Sequence, residues 1–220
     1  MISASFFSGG KESIYALFKA LKMGLDVKYL IYCNYDFPRV SPHALNIEVV
    51  RVEAKLIGLP LIECSPRKGV EVEFLRGLLV KLGVEAVVGG DIYLIDHYNW
   101  LEKLCSPIGI KCVEPLWVGG EEKSKNILIE EVNDGIEAII CGVRDKLNGK
   151  LLGKTINKEF LNEFLEYCSS VNIDPCGEKG EYHTIVLRSP IYRKSIQVLN
   201  HSIIRENDYI YIKVNDYKIV

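Results

Sequence analysis

Ser8, Gly9, Gly10, Lys11, Glu12 and Ser13 stand between an apolar run, Ile2 to Phe7, and an amphipathic one, Ile14 to Leu21. That order predicts a strand, a glycine turn and a helix start. Adjacent glycines admit positive φ and let backbone amides approach a ligand with no Cβ in the way. The first turn of a helix adds unpaired N–H groups and the positive end of its dipole, which favours an anion. Lys11 adds a mobile point charge, and Ser8 and Ser13 add hydroxyl donors. This combination suits a phosphate or pyrophosphate cradle. It is not the Walker A loop, which needs a longer glycine-to-glycine spacing before its Lys. The plainer alternative is a solvated turn, and the position directly after a buried-type strand favours the cradle.

A second stretch, Cys176 to Thr184, gathers Gly177, Glu178, Gly180, Glu181, Tyr182, His183 and Thr184 into one loop running into a strand. Two carboxylates, a phenol, an imidazole and a hydroxyl at that density serve no core, and scaffolded loops are where sites sit. An exposed hairpin with ordinary solvated charges is the competing reading, and His183 alone is weak evidence. Gly89, Gly90 and Asp91 make a third small cluster.

The elements that must position these groups follow from periodicity. Val27 to Tyr32 predicts a strand, Asn34 to His43 a loop, and Ala44 to Ile57 a helix stopped at Gly58. Leu59 to Cys64 is a strand, Val70 to Leu82 a helix stopped at Gly83, and Glu85 to Val88 a strand. Tyr98 to Cys105 is a helix and Ile110 to Val113 a fifth strand. Strands alternating with helices indicate a parallel sheet covered on both faces. Ligands of such sheets bind at the carboxyl ends of the strands, where both Gly9-Gly10 and Gly89-Gly90 fall. The rhythm changes after Trp117. A helix over Glu121 to Val132, a strand over Ile136 to Val143, a loop over Asp145 to Lys154 and a helix over Asn157 to Tyr167 follow. Strand-like runs at Thr184 to Leu187, Ser195 to Ile204 and Tyr209 to Val214 close the chain. The expected division is 1–118 and 119–220, the second unit mixed α+β.

Composition bounds the function. The chain has 220 residues, 48% hydrophobic and 25% charged, with a formal net charge of -2. That balance argues against a dedicated nucleic-acid binder, which presents a basic face. No apolar run reaches the length of a membrane span, and the N-terminus enters a strand with no basic leader, so the expected compartment is the cytoplasm. Seven cysteines without a CxxC pair read as small buried hydrophobes rather than a disulfide framework or a zinc ribbon.

SGGKES resembles the SGGxDS loop of the PP-loop ATP pyrophosphatases, which cleave ATP between its α and β phosphates; Glu12 stands where that family usually carries Asp. GEKGEYHT, preceded by Cys176, resembles the CGExGEYHT signature of the diphthine–ammonia ligase family, a branch of the same superfamily. Gly90-Asp91-Ile92 followed by Tyr98 to Glu102, then Pro115-Leu116-Trp117 and Leu152-Gly153-Lys154, resemble further elements of that branch. The similarity runs from the first strand to about Pro190, and the chain is identified as an archaeal-type, single-module member. Eukaryotic relatives carry additional C-terminal domains, for which 220 residues leave no room.

The resemblance implies a five-stranded parallel sheet of the adenine-nucleotide alpha-hydrolase, Rossmann-like type, with a smaller C-terminal domain. It implies amidation of the diphthine carboxylate on translation elongation factor two, using ATP and free ammonium and passing through an acyl-adenylate to AMP and pyrophosphate. Ser8, Gly9, Gly10, Ser13, Gly89 and Gly90 are then expected to hold the phosphates, with Lys11 stabilising charge on the departing pyrophosphate. Glu12 and Asp91 are expected to hold Mg²⁺, although Asp91 also reads as a helix cap after its glycine turn. Adenine is expected near Tyr32, Cys33 and Asn34. Glu178, Glu181, Tyr182, His183 and Thr184 are expected to face the acyl-adenylate, with Glu178, Glu181 or His183 moving protons. His97 and Tyr98 read either as cleft wall or as helix face. Arg67, Lys68, Arg188, Arg193 and Lys194 read as a rim for a protein substrate or as scattered solvated charge. No stable nucleic-acid or membrane partner is expected, and a homodimer is left open. Two rivals remain: a PP-loop enzyme that adenylates a tRNA base, and an ATP-binding protein with weak catalysis.

Overall fold

The computed structural model describes residues 1–35, 41–147 and 149–220, so residues 36–40 of the loop expected over 34–43, and Asn148 of the loop expected over 145–154, lie outside it. Five short strands rich in apolar residues open the fold: β1 (Ile2–Phe6), β2 (Asp26–Cys33), β3 (Leu61–Cys64), β4 (Ala86–Val88) and β5 (Lys111–Val113). They form one parallel sheet in the order β3-β2-β1-β4-β5. The chain winds outward from β1 to β3, then returns to the other side of β1 for β4. The order therefore reverses between β1 and β4, and ligands of open α/β sheets bind at such a switch point. Both glycine pairs leave strands that flank it.

Alternation along the strands gives the sheet two apolar faces. Ala4, Ile31 and Val87 pack against Leu75 and Leu79 of α4 (Glu71–Leu82) and Leu101 and Leu104 of α5 (Ile95–Cys105). On the opposite face Leu30, Ala86 and Val88 meet Ile14 and Leu17 of α1 (Lys11–Lys22) and Val50 and Ala54 of α3 (Ile47–Ile57). That second core continues without a break into the C-terminal half, through Ile127, Leu128, Ile140 and Val186.

The C-terminal half is a smaller α+β unit. Its antiparallel sheet centres on β6 (Glu137–Arg144), with β8 (Tyr182–Arg188) on one side and β7 (Thr155–Ile156) and β10 (Tyr209–Ile219) on the other; β9 (Ile196–Glu206) forms a long hairpin with β10. Helices α6 (Ser124–Asn133) and α7 (Leu161–Val171) complete it. Among the described residues no helix is long and apolar enough to cross a membrane.

Of the local expectations that shift, three have a clear physical cause. The helix expected over 44–57 is broken at Asn46 into α2 (Pro42–Leu45) and α3. The Asn46 amide donates to Pro42 O and to Ile212 O, and its Oδ1 accepts from Val214 N, all at 2.8 Å, so tertiary bonds to β10 outcompete a continuous helix. The helix expected from Asn157 begins at Leu161, because Asn157 Oδ1 accepts from Glu159 N and Phe160 N and closes an Asx turn first. β8 begins at Tyr182, so Tyr182 and His183 are strand residues rather than loop residues.

Candidate active site

The glycine turn after β1 is braced by its own hydroxyls. Gly10 N donates to Ser8 Oγ at 3.1 Å, and Ser13 Oγ donates to Gly10 O at 2.9 Å. Gly9 has φ of +83, and a Cβ there would lie 2.3 Å from Glu53 Oε2, so conformation and packing both demand glycine. Glu53, on α3, is fully buried and accepts from Val186 N at 3.0 Å. Burial pushes its carboxyl well above the usual range, which favours the protonated acid beside the turn.

Lys11 is not the mobile charge its sequence context suggests. It is 1% exposed, and its ammonium donates to Cys176 O at 3.1 Å, lies 3.5 Å from Glu131 Oε2 and touches the Glu12 carboxylate. The Lys11 amide donates to Thr184 Oγ1 at 3.1 Å. The C-terminal unit lies over the first turn of α1 and draws the side chain in. Burial alone would lower the Lys11 pKa, but Glu131 and then Cys176, Glu178 and Asp174 outweigh it and hold the ammonium above its ordinary value. Lys11 is thus a buried cation that ties the two halves together.

The Gly89-Gly90 turn after β4 abuts the first: a Cβ on Gly90 would approach Glu12 O to 3.2 Å. Asp91 follows and does not cap α5, whose N-cap is Leu94. Its backbone N–H donates to Glu114 Oε2 at 3.2 Å, and its carboxylate meets His97 Nδ1 at 2.9 Å. Glu114 is pushed up to about 8, first by burial and then by Asp91. Glu178 reaches across from the late loop and accepts from Ile92 N at 3.1 Å. Burial raises Glu178 to about 7, the Ile92 N–H opposing and Asp91 reinforcing it.

Asp174 organises the loop that carries Glu178. It accepts from Ser124 Oγ at 2.6 Å, Cys176 N at 3.2 Å and Glu178 N at 2.9 Å. Arg144 donates from Nε to Gly180 O at 2.9 Å and from Nη2 to Lys179 O at 2.7 Å, and the Tyr209 hydroxyl also donates to Gly180 O. The Tyr182 hydroxyl donates to Pro175 O. A Cβ on Gly177 would lie 2.8 Å from the Tyr182 ring. The loop is therefore a built structure, not a solvated hairpin.

These turns enclose a cavity of about 760 Å³, a size that suits a nucleotide-scale ligand. Ser8, Gly10, Glu12, Ser13, Gly89, Gly90 and Asp91 line one side, and Gly177, Glu178, Gly180, Tyr182, His183 and Thr184 the other. Phe6, Ile31, Tyr32, Cys33 and Trp100 form an apolar end beside the carboxyl ends of β1 and β2. Gly9, Lys11 and Glu181 do not reach the wall. Glu181 is 6% exposed and turned behind the loop, where Oε1 faces Asp174 N at 3.5 Å. Of the alternatives left open, His97 lines the cavity, while Tyr98 packs on Trp117 at 4.7 Å outside it. None of Arg67, Lys68, Arg188, Arg193 and Lys194 reaches the wall. Sequence reasoning missed His43, Glu53, Glu114, Glu131 and Asp174. Asp174 serves Cys176 and Glu178 nearby, but the partners of the other four lie far away in the chain, where no local motif marks them.

An open five-stranded parallel sheet with a braced glycine turn at its switch point defines a PP-loop-like α/β fold. Residues 1–112 match the family model for the diphthamide synthase N-terminal domain and residues 124–220 that for the diphthamide synthase C-terminal domain. The chain belongs to the diphthamide synthase family. It is similar to the diphthine–ammonia ligase of Schizosaccharomyces pombe, 26% identical over 94% of this chain and 38% of that protein. The Rattus norvegicus ligase is 28% identical, and the Homo sapiens ligase 26%, each over 89% of this chain and 82% of its own length. The chain thus spans well under half of the fission-yeast relative and about four fifths of the mammalian ones.

Proposed function

We propose that the chain amidates the diphthine carboxylate of translation elongation factor two with ammonia, consuming ATP through an acyl-adenylate and releasing AMP and pyrophosphate. The observation that carries this reading is that the braced glycine turn and the Glu178–Thr184 segment face each other across one cavity. A carboxylate is a poor electrophile, and adenylation gives it a leaving group, dividing one hard step into two easier ones.

On this reading residues 1–118 hold ATP and residues 119–220 present the protein substrate. The Gly9-Gly10 and Gly89-Gly90 turns, with Ser8 and Ser13, cradle phosphates through backbone N–H groups and hydroxyls. Glu12 and Asp91 share the cavity wall, but among the described residues no group of three His, Cys, Asp or Glu side chains is spaced for a metal. That donor set suits Mg²⁺, which takes one or two carboxylates and completes its shell with phosphate oxygens and water. When bound, the ion neutralises phosphate charge. Glu178, titrating near 7, accepts a proton from the attacking nitrogen, because a base is most effective when its pKa lies near the working pH. Glu181 positions Asp174 rather than moving protons, and Thr184 positions the Lys11 amide.

A nucleotide balance tests the proposal. Protein, Mg²⁺-ATP and ammonium are mixed with elongation factor two bearing diphthine, and AMP is resolved from ADP. AMP and pyrophosphate released only when both factor and ammonium are present are expected. ADP and phosphate, or AMP release that follows a tRNA pool instead, would overturn the reading.

A further inference from the structure

A site for linked phosphates needs positive charge, yet among the described residues lining the cavity there is no Lys or Arg. Glu12, Glu71, Asp91 and Glu178 give the wall a negative balance, and the lysine of the glycine turn is committed to Glu131. The side chains on that wall able to gain positive charge are His43, His97 and His183. His97 is already bound to Asp91.

His43 lies over that turn. A Cβ on Gly10 would sit 3.3 Å from His43 Cε1 and 3.6 Å from Nε2. Among the described residues His43 Nδ1 is buried without a hydrogen-bond partner, a condition that calls for an explanation in a folded protein. The ring meets His183 edge-on, with centroids 5.8 Å apart and planes at 87°. Its position is not accidental: α2 is anchored by the Asn46 bonds to Ile212 O and Val214 N of β10. The C-terminal sheet therefore fixes both imidazoles, while the N-terminal unit supplies the turn beneath them.

Resting on the ATP reading above, we propose that His43 is a phosphate-binding residue, donating an imidazole N–H to the phosphate chain at the Gly9-Gly10 turn in the place Lys11 vacates. Burial, and then His183, push the free imidazole down to about 3, so the ring waits uncharged on the cavity wall. An anion set against it offsets the second influence and draws the ring toward its protonated form. Pyrophosphate leaves through the same contacts, so the group that holds the chain also steadies the leaving group.

The test uses Mg²⁺-pyrophosphate and AMP as separate probes, titrated calorimetrically into wild type, His43→Ala and His43→Gln. Pyrophosphate affinity is expected to fall about tenfold or more in His43→Ala, the worth of one hydrogen bond to a charged group. His43→Gln, which keeps an N–H donor, recovers part of the loss, and AMP affinity is unchanged in both. Ring ¹⁵N resonances of His43 in the wild-type protein shift with pyrophosphate and not with AMP, a readout that needs no variant to fold. Equal pyrophosphate affinity in wild type and His43→Ala, a matching loss for AMP, or unmoved His43 resonances at saturation each overturn the inference. ATP binding that persists undiminished in His43→Ala sinks this inference alone. A wild-type protein that binds neither ATP nor pyrophosphate removes the ATP reading with it.

Discussion

Replacing Lys11 by Met keeps the length of the side chain and removes its charge. Lys11 is 1% and Glu131 0% exposed, with Nζ and Oε2 3.5 Å apart. Taking one partner from a buried pair strands the other charge and costs about 3–5 kcal/mol. Glu131 can escape part of that penalty by binding a proton, since burial already raises its carboxyl and Lys11 is what pulls it back. In the variant Glu131 keeps the raised value without the opposing lysine, so its folded pKa lies above its unfolded one. Stability from such a group is present at low pH and lost as pH rises through the folded value. The Lys11→Met deficit is therefore expected to be smallest near pH 5 and to approach about 3 kcal/mol by pH 8. With a urea m-value of about 3 kcal/mol/M for a chain of this size, the midpoint moves down by about 1 M. Adding Glu131→Leu removes the stranded acid and is expected to restore about 2 kcal/mol or more of the loss. Urea melts followed by tryptophan fluorescence and by circular dichroism, at several pH values, measure all of this. The reasoning fails if Lys11→Met matches wild type within about 0.5 kcal/mol while its pyrophosphate affinity drops tenfold. That result would put the ammonium on the phosphates instead.

Glu178→Gln is expected to lower amide formation about 10²–10⁴-fold with ATP affinity preserved. Wild-type rate, corrected for the fraction of free ammonia, rises with pH through about 7 as the Glu178 carboxyl ionises, and a flat corrected profile would remove it as the base. Glu53→Gln mimics the neutral acid that burial enforces and should cost no more than about 1 kcal/mol in a urea melt. Gly9→Ala meets both a φ of +83 and the Glu53 carboxyl at 2.3 Å, so it is expected to cost about 1–3 kcal/mol and to weaken ATP binding, read by melt and by calorimetry. Arg144→Met frees Lys179 O and leaves Gly180 O to the Tyr209 hydroxyl alone; faster hydrogen exchange at 177–181 is expected, and unchanged protection would show that the loop is pinned from elsewhere.

The glycine turns were legible because their chemistry is local. Gly9, Gly10, Gly89 and Gly90 sit at the ends of apolar strands, and alternation of strands with helices already implies a parallel sheet whose carboxyl ends meet. The Gly177–Thr184 stretch was legible as a site candidate from its polar density, although Glu181, Tyr182 and Thr184 turn out to be buried. Tertiary contacts decided the rest. Lys11 reads as a free charge in the sequence, and only the arrival of Glu131 and Cys176 from the second unit makes it a buried tie. Glu178 and Glu181 stand three residues apart with the same side chain, yet one faces the cavity and the other lies behind the loop. His43 carries no motif to distinguish it, and α2, held by Asn46 to β10, sets it over Gly10. A backbone turn is specified by the residues that make it. The charge state and direction of a side chain are specified by what packs around it, and for Lys11 those neighbours come from more than a hundred residues away.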